Sequence, residues 1–219
     1  MKPVVIFGLN DFAELAYYYL HNDSDYDVVA FTVNEKYIDK STFYDLPIIP
    51  FEDVEYLYPP TEYNLFSPMM GTKMNKIRED IYLEGKRKGY DFVSYISSKA
   101  RIFNSIIGEN CFILEDNTIQ PFTKIGNNVV MWSGNHLGHH SIVRDNVFVS
   151  SHVVISGHCD IGENSFLGVN STIRDGSRLA KGTLLAMSSS LTLKETEEWS
   201  VYLGNPAKKK GTRASYEVF

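Results

Sequence analysis

The dominant pattern along the chain is an apolar residue at every sixth position, without interruption, from residue 107 to residue 191. A period of six fits neither a helix nor a single alternating strand. It predicts a solenoid of the hexapeptide β-helix type, in which three short strands form one coil and each strand contributes one inward residue. The positions are Ile107, Ile113, Ile119, Ile125, Met131, Leu137, Val143, Val149, Ile155, Ile161, Leu167, Ile173, Leu179, Leu185 and Leu191.

The repeat also fixes which residues should lie next to each other. Residues eighteen apart should stack on neighbouring coils, about 4.8 Å from each other. The large inward side chains should fill the axis of a three-sided prism and exclude water from it. Four residues after each apolar position stands a mostly small residue, for example Cys111, Ser141 or Ser165, where the chain should turn a corner.

Before the repeat, short apolar runs alternate with helical spacing. Strand, glycine-containing turn, helix and strand in this order predict a small α/β domain that begins like a doubly wound nucleotide-binding unit. Asp11 and Glu14 are expected to start the first helix as a variant capping box. The predicted elements are strands at Val4–Phe7, Val28–Val33 and Asn64–Phe66, apolar helix positions from Phe12 to Leu20, a loop at Leu46–Pro50 and a polar helix over about 74–88.

The turn after the first strand contains one glycine, Gly8, rather than the three of a dinucleotide fingerprint. A nicotinamide cofactor is therefore not expected. Two interpretations of the domain remain: it only packs on the prism, or it forms a pocket at the strand ends around Asn10, Asp11 and Asn34.

Five of the six histidines lie between residues 136 and 158, namely His136, His139, His140, His152 and His158. The eighteen-residue spacing stacks His140 on His158 and places His139 beside Gly157. A histidine beside a residue without a side chain leaves room for a reacting atom and exposes a backbone N–H. A general base next to an oxyanion donor is the minimum equipment for acyl transfer.

At these residues the repeat resembles the hexapeptide-repeat acyltransferases, whose prism is a left-handed β-helix. The whole chain is similar to bacterial sugar acyltransferases that carry a short α/β domain before the prism. The resemblance implies acetyl-CoA as co-substrate, a nucleotide-linked sugar as acceptor, and a homotrimer. It also implies that the α/β domain holds the nucleotide, with Asn10, Asp11, Asn34 and Glu35 as candidate contacts.

The resemblance assigns roles within the prism as well. The family's general base maps onto His139 and its oxyanion donor onto the backbone N–H of Gly157. His140 stands where the family usually has an acidic residue, and Phe148 where it has a histidine near the acetyl group. His136 and His158 are the remaining candidates for substrate contacts.

The segment after the prism is similar to the one that borders the CoA groove in these enzymes. Lysines 208 to 210 follow it and could meet the CoA phosphates. The predicted groove residues are Phe148, Gly157, Ala186, Gly204, Asn205, Pro206, Ala207 and Lys208.

Composition and charge exclude several classes of protein. The chain has 219 residues, 43% of them hydrophobic and 22% charged, and a net charge of −6, which argues against a general nucleic-acid binder. The short apolar start does not resemble a signal peptide, and no run is long enough to span a membrane, so a cytoplasmic protein is predicted. Cys111 and Cys159 should lie on different faces of the prism, too far apart for a disulfide.

Two alternatives stay open at this point. γ-Class carbonic anhydrases share the left-handed prism and bind zinc with three histidines, but the histidine spacings here differ from theirs, and no metal is expected. A purely structural or binding β-helix is the non-enzymatic alternative. The predicted parts are an α/β domain over 1–97, a β-helix over 98–193 and a C-terminal tail over 194–219.

Overall fold

The computed structural model describes residues 2–219, and its first part is an α/β unit around one five-stranded sheet. The strand order is β3-β4-β2-β1-β5, and all pairs are parallel except β3 with β4. The elements are β1 (Val4–Phe7), α1 (Asp11–Asp23), β2 (Val28–Val33), a 3₁₀ turn (Glu35–Tyr37), β3 (Thr42–Phe43), β4 (Leu46–Pro50), α2 (Val54–Leu57), β5 (Asn64–Phe66) and α3 (Lys76–Arg87).

Two local predictions for this part are wrong. The segment Leu46–Pro50 is strand β4 rather than a loop. Its two prolines are tolerated because the outer neighbour is only the two-residue β3, while Ile48 and Ile49 are buried against β2. The first helix is capped by Asn10, whose Oδ1 accepts hydrogen bonds from the N–H groups of Phe12 and Ala13, and Asp11 is its first helical residue.

The second part is a three-sided prism whose faces we call the docked, second and third faces. Each face is a sheet of two- or three-residue strands, and neighbouring strands on a face are parallel except for the last pair of the docked face. The docked face comprises Tyr95–Ile96, Phe112–Ile113, Val130–Met131, Phe148–Val149, Phe166–Leu167, Leu184–Leu185, Val201–Leu203 and Lys208–Lys209. The second face comprises Arg101–Ile102, Thr118–Ile119, His136–Leu137, Val154–Ile155, Thr172–Ile173 and Ser190–Leu191. The third face comprises Ile106–Ile107, Lys124–Ile125, Ile142–Val143, Asp160–Ile161 and Arg178–Leu179, and a short helix α4 (Ser215–Val218) ends the chain.

The register confirms the repeat. His136 pairs with Val154 and Ile142 with Asp160, so strands within the six-residue repeat pair with those eighteen residues on. Of the fifteen apolar repeat positions, all but Ile107 are buried in one continuous core. The repeat and the parallel pairing fit the left-handed β-helix that the family resemblance implies.

The α/β part packs on the docked face through aromatic side chains. Phe12 of α1 contacts Trp132 edge-on at 5.5 Å between ring centroids, and it also packs against Phe148 at 6.4 Å. Tyr95 donates a hydrogen bond of 2.6 Å to the Asp23 carboxylate at the end of α1. These contacts join the two parts through one buried interface.

The corner between the third and docked faces, which we call the Asn corner, carries a ladder of amides. It consists of Asn110, Asn128, Asn146 and Asn164. Asn110 donates to Asn128 over 2.8 Å, and Asn128 donates to Asn146 over 2.7 Å. Both carboxylate oxygens of Glu79 in α3 accept from the last two amides.

Next to this ladder, α3 inserts a fully buried arginine into the prism. Arg78 donates to the backbone carbonyls of Asn146 and Val147 over 2.9 and 3.3 Å. Burial lowers the pKa of its guanidinium to about 9, because no carboxylate within residues 2–219 pairs with it. A helix that was predicted only as polar thus fixes the orientation of the α/β part.

Both cysteines are buried and free, as the repeat predicts. Burial raises the pKa of the Cys111 thiol to about 11 and also raises that of Cys159, which keeps both thiols protonated. No α-helix within residues 2–219 has the length and apolar content needed to cross a bilayer.

Candidate active site

The corner between the second and third faces, which we call the His corner, is made by residues 120–123, 138–141, 156–159 and 174–177. At each level the third residue of the turn has a positive φ: 65° at Phe122, 59° at His140, 56° at His158 and 68° at Gly176. The hexapeptide turn demands this left-handed conformation whatever the side chain, so the rings form a column.

Three of the five clustered histidines meet at this corner. His140 and His158 stack with 5.0 Å between ring centroids and an interplanar angle of 15°. His139 stands edge-on to both, at 5.2 Å from His140 and 5.0 Å from His158. Phe122 extends the stack on the other side of His140, at 4.8 Å. The eighteen-residue spacing therefore placed these rings correctly.

His139 leans over Gly157 on the next coil. Cε1 and Nε2 of its ring both lie 3.1 Å from the position that a Cβ atom on Gly157 would take. A Cβ atom at residue 157 would push the imidazole by a few tenths of an ångström, so the glycine gives His139 room for this close approach. His139 is exposed, and Gly157 below it is buried.

The backbone N–H of Gly157 has no acceptor among residues 2–219. A side chain caps the equivalent turn amide in a few coils only: Asn127 N–H donates to Asp145 over 2.7 Å, and His139 N–H donates to the Gln120 side chain over 2.9 Å. The N–H groups of Ser133 and Ser151, at the same turn position, have no acceptor within residues 2–219 either. The Gly157 amide is thus available to a ligand right below the His139 ring.

A hydrogen bond fixes the other side of the His139 ring. Its Nδ1 lies 3.1 Å from Nδ1 of His140, so one of these nitrogens donates to the other. When His139 donates, its proton is on Nδ1 and the lone pair of Nε2 faces the space above Gly157. This is the tautomer that a general base needs.

The same three rings invite comparison with a metal site, since ring nitrogens of His139, His140 and His158 lie within 4.8 Å of one another. Zinc requires lone pairs that converge on one point at about 2.0–2.1 Å. The near-parallel stack of His140 and His158 directs their lone pairs side by side instead. The geometry fits a proton-transfer cluster better than a zinc centre.

The other predicted prism residues lie elsewhere. The prediction for Phe148 is wrong: it is 6% exposed in the interface with α1, on the docked face, so it cannot contact a thioester at the His corner. His136 lies on the second face, paired with Thr118 and Val154. His152 lies at the third corner, between the docked and second faces, away from the other rings.

The proposed CoA segment lies at that third corner as well. The N–H of Ala186 donates to Tyr202 O over 2.9 Å, and the N–H of Gly204 donates to the Ser189 hydroxyl over 3.1 Å. A cis peptide bond joins Asn205 and Pro206. Ala207 is buried at the end of the prism core, and the side chain of Lys208 is exposed. Within one chain, one whole face separates this segment from His139.

The α/β part contains a cavity of about 630 Å³ at the carboxyl ends of β1 and β2. Asn10 and Asn34 line it, whereas Asp11 and Glu35 do not. Asp11 borders a separate depression on α1, and the Glu35 N–H donates to Glu52 over 3.0 Å. Sequence reasoning missed Lys36 and Asp80 on the cavity wall, both in segments without a recognised motif.

At the His corner it missed Gln120, Phe122 and Asp175. Asp175 Oδ1 lies 3.0 Å from the Cβ position of Gly157, on the coil after it. The eighteen-residue spacing could have identified two of them, because Phe122 is one coil from His140 and Asp175 is one coil from Gly157. Neither belongs to a histidine or glycine motif.

Comparison with known proteins agrees with the repeat. Residues 104–139 match the family model described as bacterial transferase hexapeptide (six repeats). No curated protein matches the chain in sequence. The prediction of a hexapeptide-repeat fold is confirmed.

Three solved structures share the fold over nearly the whole chain. One is a histidine-to-asparagine variant of perosamine N-acetyltransferase from Caulobacter crescentus in complex with CoA and GDP-perosamine, with a TM-score of 0.86, 18% identity, and coverage of 97% of this chain and 98% of that one. Another is the acetyltransferase domain of PglB from Neisseria gonorrhoeae, with a TM-score of 0.82, 16% identity, and 96% and 100% coverage. The third is WeeI from Acinetobacter baumannii, with a TM-score of 0.75, 17% identity, and 96% and 100% coverage.

Proposed function

We propose that this chain is a sugar acetyltransferase of the hexapeptide-repeat family. It transfers the acetyl group of acetyl-CoA to an amino or hydroxyl group of a nucleotide-linked sugar, with His139 as general base. The observation that carries the proposal is the position of His139 Nε2 above Gly157, whose N–H is free. Two of the three similar structures are acetyltransferases by name, and the one from Caulobacter crescentus holds CoA and GDP-perosamine.

The geometry suits direct attack, without a covalent enzyme intermediate. The acceptor nucleophile attacks the thioester carbonyl carbon while its proton passes to His139 Nε2. The carbonyl electron pair moves onto oxygen, where the Gly157 N–H stabilises it. The C–S bond then breaks, and the CoA thiolate takes the proton from His139. His140 holds the ring of His139 through the bond between their Nδ1 atoms.

The α/β domain is the proposed nucleotide-sugar site. We infer that it is Rossmann-like, since its cavity lies at the carboxyl ends of parallel strands, where such folds bind ligands. Asn10 and Asn34 offer polar contacts, Lys36 offers a cation for phosphate, and Met69 and Ile81 provide an apolar wall. Asp11 and Glu35 are second choices because they lie outside the cavity.

The active form is proposed to be a homotrimer. Ala186 and the segment from Gly204 to Lys208 lie one face away from His139, so a CoA molecule that contacts both needs the groove of a second chain. Three large apolar side chains on the first two coils are exposed: Phe103 by 50%, Ile106 by 66% and Phe122, which packs on His140, by 61%. A partner chain would cover them.

For the domain boundaries, the CoA phosphate contacts and the location, the proposal keeps what the sequence predicts. The functional division is 1–97, 98–193 and 194–219, although the first strand of the docked face is already Tyr95–Ile96. Lys208 and Lys210 remain candidates for the CoA phosphates, while Lys209 pairs with Glu197. A cytoplasmic location without nucleic-acid or membrane partners stays a prediction.

Ligand-induced thermal stabilisation tests the proposal. The purified chain is heated with acetyl-CoA and, separately, with UDP-, dTDP-, GDP- and CMP-linked sugars, because a ligand of the native state raises Tm by mass action. We expect a shift with acetyl-CoA and with one nucleotide class, followed by acetyl transfer to that sugar. No shift with acetyl-CoA, together with a shift with Zn²⁺, would instead support the carbonic-anhydrase alternative.

A further inference from the structure

The space above Gly157 has a second polar wall besides His139. Asp175 Oδ1 lies 3.0 Å from the Cβ position of Gly157, and His139 Nε2 lies 3.1 Å from the same position. The two groups therefore both border the space that a side chain on Gly157 would fill. They come from coils on either side of it and do not hydrogen-bond to each other within the described chain.

The gap between them suits one bridging polar atom. Two consecutive hydrogen bonds of ordinary length span about 5–6 Å. The two distances to the shared Cβ position limit the separation of His139 Nε2 and Asp175 Oδ1 to at most about 6 Å, which one bridging atom can span. An acceptor nucleophile above Gly157 can thus contact both groups at once.

The carboxylate of Asp175 forms no hydrogen bond or ion pair within residues 2–219. At the Asn corner, the carboxylate of Asp145 accepts the N–H of Asn127 over 2.7 Å, and on the third face Asp160 forms an ion pair with Arg144 over 2.8 Å. No donor among residues 2–219 reaches the exposed carboxylate of Asp175. Its orientation toward Gly157 is therefore not explained by a structural bond.

We propose that Asp175 contacts the acceptor nucleophile and makes the site selective for an amine over a hydroxyl group. This inference rests on the proposed acetyl transfer and assigns a residue that sets its specificity. A carboxylate only accepts hydrogen bonds, and so does the Nε2 lone pair of His139. The site thus offers two acceptors to the attacking atom.

An amine satisfies both acceptors, and a hydroxyl cannot. A primary amine donates one N–H to His139 and the other to Asp175. During attack the C–N bond forms, the first proton moves to His139 and then to the CoA thiolate, and the second stays in the amide product and still points to Asp175. A hydroxyl has one proton, which must go to His139, so its lone pairs would face the carboxylate.

The test compares two acceptors with three proteins. The acceptors are the nucleotide-linked amino sugar that the native protein uses, with GDP-perosamine as the first probe, and its analogue with a hydroxyl in place of the amine. The proteins are the native chain, Asp175→Asn and, as matched control, Asp145→Asn at the equivalent turn position of another corner. The readouts are kcat/KM for each acceptor and Tm.

The native chain is expected to prefer the amine. Asp175→Asn should lower kcat/KM for the amine by about 10- to 100-fold, the effect of one lost charged hydrogen bond, and change that for the hydroxyl analogue less than about 3-fold. It should leave Tm unchanged because the side chain is exposed. Asp145→Asn should leave the ratio of the two acceptors as in the native chain.

Four results would overturn the inference. An equal loss for both acceptors would show a general electrostatic role instead of selection, and unchanged kcat/KM values for both acceptors would show no role. A native chain that acetylates only the hydroxyl analogue would contradict the inference while leaving acetyl transfer intact. A native chain that acetylates no acceptor of the panel would remove the proposed function together with the inference.

Discussion

The Asn corner and the His corner share one backbone turn but carry opposite kinds of side chain. At the Asn corner the left-handed position holds Asn110, Asn128, Asn146 and Asn164, with φ between 55° and 62°. These amides are buried and bonded to one another and to Glu79 of α3. At the His corner the same position holds Phe122, His140 and His158, all exposed.

The comparison shows which residue types the turn requires for stability and which it merely tolerates. Asparagine and histidine are both found more often than most non-glycine residues with a left-handed backbone, whereas phenylalanine there is unusual. The corner that packs against α3 uses amides because buried polar groups must be hydrogen-bonded. An exposed corner has no such requirement, so the same turn can carry histidine rings, as it also does at His152 of the third corner.

The largest expected effect is on turnover at the His corner. His139→Asn should lower kcat by about 10²- to 10⁴-fold, because it removes the general base, while the exposed position leaves the fold intact. The measurement is initial rate with acetyl-CoA and the acceptor found by thermal shift. His152→Asn is the matched control, an exposed histidine with φ of 59° at a different corner. Near-native turnover of His139→Asn would exclude it as the base.

At the Asn corner the largest effect should be on stability. Asn128→Leu removes two amide–amide bonds, leaves neighbouring amides buried without partners and places a branched side chain in a left-handed turn. We expect a loss of about 2–4 kcal/mol in the free energy of unfolding, measured with denaturant. Asn170→Leu, at an exposed position with φ of 58°, should lose only about 1 kcal/mol. Equal losses would mean that the ladder adds nothing beyond the turn.

The docked interface should also respond to acid. Side-chain hydrogen bonds from Ser98 and Tyr95, with the Ser98 N–H, lower the pKa of Asp23 to about 2, from an ordinary 3.8. A depressed carboxyl pKa stabilises the native state above pH 4, and this contribution is lost as the pH falls from about 4 to 2. Allowing for solvent screening, about 1 kcal/mol should disappear over that window.

Unfolding curves between pH 5 and 2 check this contribution, a range chosen around those two pKa values. Asp23→Asn should be less stable at neutral pH and lose less on acidification. Asp25→Asn, exposed and two residues away, should behave like the native chain. An unchanged acid profile in Asp23→Asn would mean that Asp23 does not link α1 to the prism.

The smallest predicted effect concerns the stacked rings of the His corner. His158→Asn replaces one residue type that tolerates the left-handed backbone by another, so the main loss is the stack with His140. Because both rings are exposed, the free energy of unfolding should change by less than about 0.5 kcal/mol. The measurement is Tm beside the native protein. A clearly lower Tm would show that the histidine stack stabilises the corner.

The sequence predicted the prism well because one rule generates it. Six-residue spacing identified the core, and adding eighteen to a residue number identified its neighbour, which is how His140 met His158 and His139 met Gly157. The same arithmetic places Asp175 beside Gly157, but without a motif at that position it was not among the predicted site residues. Here position follows from counting, since every turn of the solenoid repeats the same backbone.

The interface between the α/β part and the docked face could not be predicted from the repeat spacing. Phe148 occupies a regular strand position, and only contact with α1 decides that it is buried instead of lining a groove. Arg78 lies in a helix whose composition is typical of a solvated surface. Its burial depends on carbonyls 68 and 69 residues later in the chain. Local pattern carries no information about such a partner.

The insertion of α3 into the Asn corner also affects the order in which the chain can fold during its synthesis. During synthesis, Asn75 and Arg78 leave the ribosome 68 to 90 residues before the carbonyls that they bind. At roughly 5–20 residues per second this interval lasts about 3–18 s. Throughout it, Arg78 is hydrated and fully charged, so α3 cannot take its final place until the fourth coil has emerged. The α/β domain must therefore wait, partly assembled, for the solenoid that completes it.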